Sequence, residues 1–261
     1  MTAPAPPTAP ESAATPRWGL GDALVGWLLA ETMAAFAAIT VLSATGRLQP
    51  LGQVVLDEVG AVTGRRLVAT VTPLWMVAVL QAFLWVGLLG APLAAARWKG
   101  RGPVTDFGLR FRAVDVPLGL AMGVACQLIL VPLVSIPWTW LLGRDISELE
   151  EPARDLADKA TDPLGVILLV LIVVLGAPVV EELFFRGLLQ RSAARRWSPG
   201  VAVAVSSLVF GVTHFEVLQL PALIAFGVVL GMLAQRTGRL GPGIVAHLAF
   251  NAVTVVALLV L

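Results

Sequence analysis

Two adjacent carboxylates, Glu181 and Glu182, end an apolar run that starts at Pro163 and carries no charge through Val180. A carboxylate at that depth of hydrocarbon is expensive and is by default a functional group. If the segment is helical, Arg186 lies one turn beyond Glu182 on the same face and can pair with it. The two glutamates project about 100° apart, so they cannot easily share one partner, and Glu181 is left without a local cation. A desolvated carboxylate of that kind is suited to act as a general base toward water. The chain's only two histidines, His214 and His247, also lie in apolar segments. Asn251 follows His247 by four residues, so two donors face one side of a helix, as an oxyanion hole requires. Any one of these groups could be a buried packing contact. Six of them within the last 81 residues, all in or beside apolar runs, point to one hydrolytic site.

The surrounding sequence must hold that site in a bilayer. Of 261 residues, 57% are hydrophobic and 13% charged, against about 25% charged in soluble domains. Long continuous apolar runs, rather than short alternating ones, predict an all-α polytopic bundle, because helices satisfy their own backbone bonds in lipid. Seven runs are expected: about Trp18–Leu42, Thr72–Ala96, Val116–Leu142, Pro163 through the glutamates toward Trp197, Gly200–Phe215, Leu218–Gln235 and Gly243–Leu261. The third holds Pro117, Pro132 and Pro137 and should be kinked or broken. The fifth is short enough to end inside the membrane. The Pro/Ala/Thr-rich residues 1–17 read as a disordered cytoplasmic tail, and residues 18–261 as one transmembrane domain. In it, helices over 18–142 precede a catalytic core at 163–261. An interfacial helix could also lie in 50–70.

Charge sets the orientation. With the N-terminus inside, the inner segments hold 12 of the 18 Lys and Arg, which favours a cell-membrane protein with its N-terminus cytoplasmic and its C-terminus outside. The outer loop 143–162 holds seven acids. A net charge of +1 implies no nucleic-acid partner; the expected partners are the lipid bilayer and a peptide or protein substrate. Glu181 lies 16 residues before Trp197 and His214 14 after Gly200. In a tight antiparallel hairpin they therefore sit at similar depth. His247 falls nearer the inner end of its helix, an imperfect match unless the fourth helix emerges before Trp197. Glu31 reads as a helix-packing or lipid-interface group, and Gln81 and Gln127 as interhelical hydrogen-bonding groups.

Residue types exclude several chemistries. There is no His-Glu-x-x-His and no Gly-x-Ser-x-Gly. Tyrosine is absent, which removes a Tyr-Asp aspartyl pair, and the single cysteine, Cys126, forms no intrachain disulfide. A Glu/His site that activates water remains, with or without a metal. A proton-coupled transporter or a non-catalytic membrane immunity protein on the same scaffold are the alternatives; matching interrupted helices in two halves, the usual mark of a transporter, are not seen.

Glu181-Glu182-x-x-x-Arg186, Phe210-x-x-x-His214 and His247-x-x-x-Asn251 resemble the three signature motifs of the CaaX-protease and bacteriocin-processing (CPBP, or Abi) family, which includes the Ras-converting CaaX endopeptidase. The segment Phe107-Gly108-Leu109-Arg110 is similar to a weaker family feature. The resemblance covers about Pro163 to Leu261. It implies an intramembrane endopeptidase in which Glu181 is the base, His214 holds the water, Glu182 and Arg186 support the site, and His247 and Asn251 stabilise the oxyanion. It further implies a metal-free glutamate mechanism, although Glu181, His214 and His247 are ligand types that suit zinc. The family's substrates suggest a membrane-associated or lipidated peptide.

Overall fold

The computed structural model describes residues 16–47 and 72–260. Residues 1–15 of the expected tail, and the interfacial helix considered in 50–70, lie outside the described residues. Pro16 and Arg17 are held at the Lys99 end of the helix Leu74–Lys99. The Arg17 N–H donates to the Lys99 carbonyl, and Arg195 donates to the Pro16 carbonyl while its guanidinium lies over the Trp18 ring.

The protein is a polytopic helical bundle. Among the described residues, six helices are long and apolar enough to cross a membrane: α1 (Leu20–Ala44), α2 (Leu74–Lys99), α3 (Asp115–Leu142), α4 (Pro163–Ala194), α6 (Leu220–Thr237) and α7 (Gly241–Val260). Between α4 and α6 lies α5 (Pro199–Val212), of 14 residues. Local chemistry accounts for its limits. Ser198 caps it and Pro199 supplies a preset first turn. It stops at Val212, so His214 stands in a turn beyond the helix rather than within it. Phe215 follows with φ +58°, a backbone setting unusual for a bulky residue.

Two pairs of helices meet through small residues, as expected where lipid supplies no hydrophobic drive. On α1 and α2, Gly87 lies so close to Ala30 that a Cβ there would come 2.4 Å from the Ala30 Cα. On α3 and α7, a Cβ at Gly123 would come 2.2 Å from the Ala246 carbonyl oxygen. Large apolar side chains such as Leu28, Leu133 and Trp140 point outward toward lipid.

Prolines leave α3 continuous instead of breaking it. Its backbone widens to π geometry over Cys126–Leu130, just ahead of Pro132, where the Val131 N–H bonds five residues back to Cys126. The depth mismatch expected for His247 is resolved at the far end of α4. Arg191 already reaches the Gly238 carbonyl in the α6–α7 turn at 3.0 Å, so the last turn of α4 projects past the start of α7. On the other face, Gln219 donates to the Leu149 carbonyl at 2.9 Å and Trp138 to the Val217 carbonyl at 3.0 Å. These bonds tie the acidic loop and the end of α3 to the segment after His214.

A Gly87→Val substitution is expected to destabilise the bundle by about 1–3 kcal/mol, the usual cost of overpacking. Thermal unfolding in detergent, compared with Val at lipid-facing Leu28, checks it.

Candidate active site

The innermost element is the Glu182–Arg186 pair on α4. The Arg186 Nη1 donates to Glu182 Oε1 at 2.8 Å, and both side chains are fully buried. One local pair does not suffice in a low-dielectric interior, where each remaining polar atom also needs a partner. Arg186 gives its second amino group to the Gly227 carbonyl of α6 at 3.2 Å and lays its guanidinium 4.4 Å from the centre of the Phe210 ring of α5. One turn on, Gln190 repeats the pattern, donating to the Gly231 carbonyl at 2.9 Å. On α7, Gly243 makes room for the carboxylate: a Cβ there would stand 2.9 Å from Glu182 Oε2.

His247 joins the two glutamates. Its Nδ1 is 3.3 Å from Glu182 Oε1 and its Nε2 is 3.8 Å from Glu181 Oε2. The expectation that the glutamates cannot share a partner is therefore corrected. An imidazole carries nitrogens on two edges, so carboxylates that diverge from one helix can each face a different nitrogen. The ring is wedged edge-on between Phe210, at 5.8 Å, and Phe226, at 5.3 Å.

His214 is oriented by its own helix end. Its Nδ1 lies 2.7 Å from the Phe210 carbonyl. A carbonyl can only accept, so Nδ1 carries the proton and Nε2 of the neutral ring keeps its lone pair. The ring packs edge-on against Phe210 at 4.7 Å. Phe210 thus touches Arg186, His214 and His247 at once.

Glu181, His214, His247 and Asn251 all line one cavity of about 910 Å3. Trp27, Glu31, Gln81 and Gln127 line the same cavity. Glu31, read from sequence as a packing or lipid-interface group, therefore borders the same space as Glu181. Ile146 and Leu149 of the acidic loop also line the cavity. Asn251 does reach α4, but its amide donates to the Val173 carbonyl at 2.7 Å. Asn251 and His247 share a face of α7, as their spacing requires.

Zinc would need three donors converging on one point. Among the described residues no three His, Cys, Asp or Glu side chains gather in that way. The set Glu181, His214 and His247 does not fit the ion as arranged, since His247 directs its two nitrogens at two carboxylates. Sequence reasoning missed Phe185, Phe226, Gly227 and Gly243. Phe185 and Phe226 look like any lipid-facing aromatics. The two glycines act through a carbonyl and through vacant space, neither of which has a sequence signature.

These features sit in a recognisable family context. Residues 163–253 match the family of type II CAAX prenyl endopeptidase Rce1-like proteins, so the resemblance read from the three motifs holds over that stretch, from the start of α4 into α7. A Bacillus subtilis (strain 168) protein, "Putative membrane peptidase YdiL", is 29% identical over 92 residues, which is 35% of this chain and 38% of that relative. The matched stretch thus spans well under half of either protein. No solved structure matches.

Arg186→Met is expected to destabilise the protein by about 3–5 kcal/mol, because it leaves the Glu182 charge buried and unpaired. Arg186→Met combined with Glu182→Leu should recover most of that loss. Thermal melts of the three variants in one detergent check both statements.

Proposed function

We propose that the chain is an intramembrane endopeptidase acting on a membrane-associated or lipidated peptide, with Glu181 as the general base. The observation that carries this reading is the difference between the two glutamates. The Glu182 side chain is fully buried and paired, whereas that of Glu181 is 16% exposed and borders the cavity shared with His214 and His247.

Glu181 takes a proton from a water molecule as the oxygen attacks the scissile carbonyl carbon. The Nε2 lone pair of His214 accepts the second water hydrogen, because the Nδ1 proton is spent on the Phe210 carbonyl. Negative charge builds on the carbonyl oxygen, and donors on the α7 face can meet it. The second amide hydrogen of Asn251 is one donor, and an N–H at His247 Nε2 is the other. The C–N bond then breaks, and Glu181 returns its proton to the leaving nitrogen. Buried Glu182 and Arg186 hold His247 in place. No metal enters these steps. The excess of Lys and Arg in the segments at the Arg195 end favours placing that end in the cytoplasm.

Cleavage is measured with the full chain in nanodiscs, using a quenched fluorogenic peptide that ends in a farnesylated CaaX sequence, and its unprenylated counterpart. Glu181→Gln and His214→Ala are each expected to lower kcat by about 10²–10⁴-fold, the usual contribution of a general base, with unchanged melting curves. Undiminished turnover in either variant overturns the reading and favours a non-catalytic membrane partner. Turnover is expected to persist after chelation that leaves no zinc by elemental analysis; loss that zinc restores would favour a metal site on Glu181, His214 and His247.

A further inference from the structure

The backbone of α4 is widened just before the glutamates. Over Val170–Gly176 it runs in π geometry, and the Ala177 N–H reaches back five residues to the Ile172 carbonyl. In that register the next acceptor is the Val173 carbonyl, and its donor would be the N–H of residue 178. Residue 178 is proline and has none. The Val173 carbonyl instead accepts from the Asn251 amide at 2.7 Å.

We infer that Asn251 is a positioning residue whose side-chain amide replaces the N–H missing at Pro178, and so holds α4 in the register that turns Glu181 toward His247 and the cavity. A π segment inserts about one extra residue into the helix, so a return to α geometry would rotate everything beyond it by about 100°. Glu181 lies three residues past Pro178 and would swing away from His247. His247 sits one turn before Asn251 on α7, so one helix face sets both the register of α4 and the contact with its carboxylates. This role differs from oxyanion donation and leaves the second amide hydrogen of Asn251 for that task. That positioning matters to chemistry rests on the proposal that Glu181 is the reactive carboxylate.

The test compares Asn251→Leu, Pro178→Ala and the double variant in the full chain in nanodiscs. A hydrophobic carbodiimide is the probe, and the rate of Glu181 modification is read by mass spectrometry. Asn251→Leu is expected to change that rate by about tenfold, the effect of one ordinary buried hydrogen bond on the register equilibrium. Pro178→Ala alone should leave it unchanged. The double variant, in which the backbone N–H restored at position 178 can serve the Val173 carbonyl, should return it to the wild-type rate. An unchanged rate in Asn251→Leu, or no recovery in the double variant, overturns the inference. If Asn251→Leu does not fold, recovery of folded protein in the double variant supports the inference and failure to recover overturns it. Labelling does not depend on turnover. Restored labelling in a protein that cleaves neither fluorogenic peptide would leave the positioning role standing and remove the endopeptidase reading.

Discussion

The arginine–glutamate pair inside α4 constrains everything around it. Two opposite charges with no exposure to solvent are costly unless protein encloses them and supplies further polar contacts. Arg186 and Glu182 find such contacts on three other helices, while Glu182 Oε2 and Arg186 Nε make no hydrogen bond to the described residues. α5 contributes the Phe210 ring, α6 the Gly227 carbonyl, and α7 the space above Gly243 and the Nδ1 of His247. The convergence of α4 to α7 is thus a requirement of solvating one ion pair without water. Bringing the same helices together delivers His214 and His247 to the cavity that Glu181 borders.

Adjacent carboxylates acquire different tasks from a small difference in direction. Glu182 points into the junction of helices and is spent on Arg186 and His247. Glu181, about a quarter-turn away, faces open volume. Departures from regular α geometry sharpen that division. α4 is π-helical on both sides of Glu181, over Val170–Gly176 and Glu182–Leu189, and each widened segment frees carbonyls that side chains of neighbouring helices then occupy. Ser206 donates to the Phe185 carbonyl at 2.9 Å in the second segment, as Asn251 does to Val173 in the first. Both cross-helix bonds supply donors to carbonyls of the irregular backbone beside the carboxylates.

Much of this was legible in the residues alone. Apolar runs marked the membrane helices to within a few positions, because a bilayer imposes length and composition directly on a sequence. The short fifth run corresponds to a helix of 14 residues. The i,i+4 spacings of Glu182–Arg186 and His247–Asn251 placed each pair on one face, since helix geometry translates spacing into direction. Counting residues along the α4–α5 hairpin allows Glu181 and His214 to meet, and both line one cavity. Less legible were the prolines of α3, which widen the helix instead of breaking it, and the position of His214 beyond the last turn of α5.

What the sequence determined by itself was therefore the local part: which stretches are helices in lipid, which residues share a helix face, and that Glu182 has a cation within reach. Tertiary structure alone decided that His247 bridges both glutamates, that Glu31 and Gln127 border the same cavity, and that Asn251 bonds a backbone carbonyl of α4. The reason is physical. Periodicity along one helix fixes the direction of a side chain but says nothing of what stands opposite, and carbonyls, glycine gaps and ring edges become partners only when distant segments pack. Glu181 is distinguished from its neighbour by that packing, which leaves one carboxylate enclosed and the other open to the cavity.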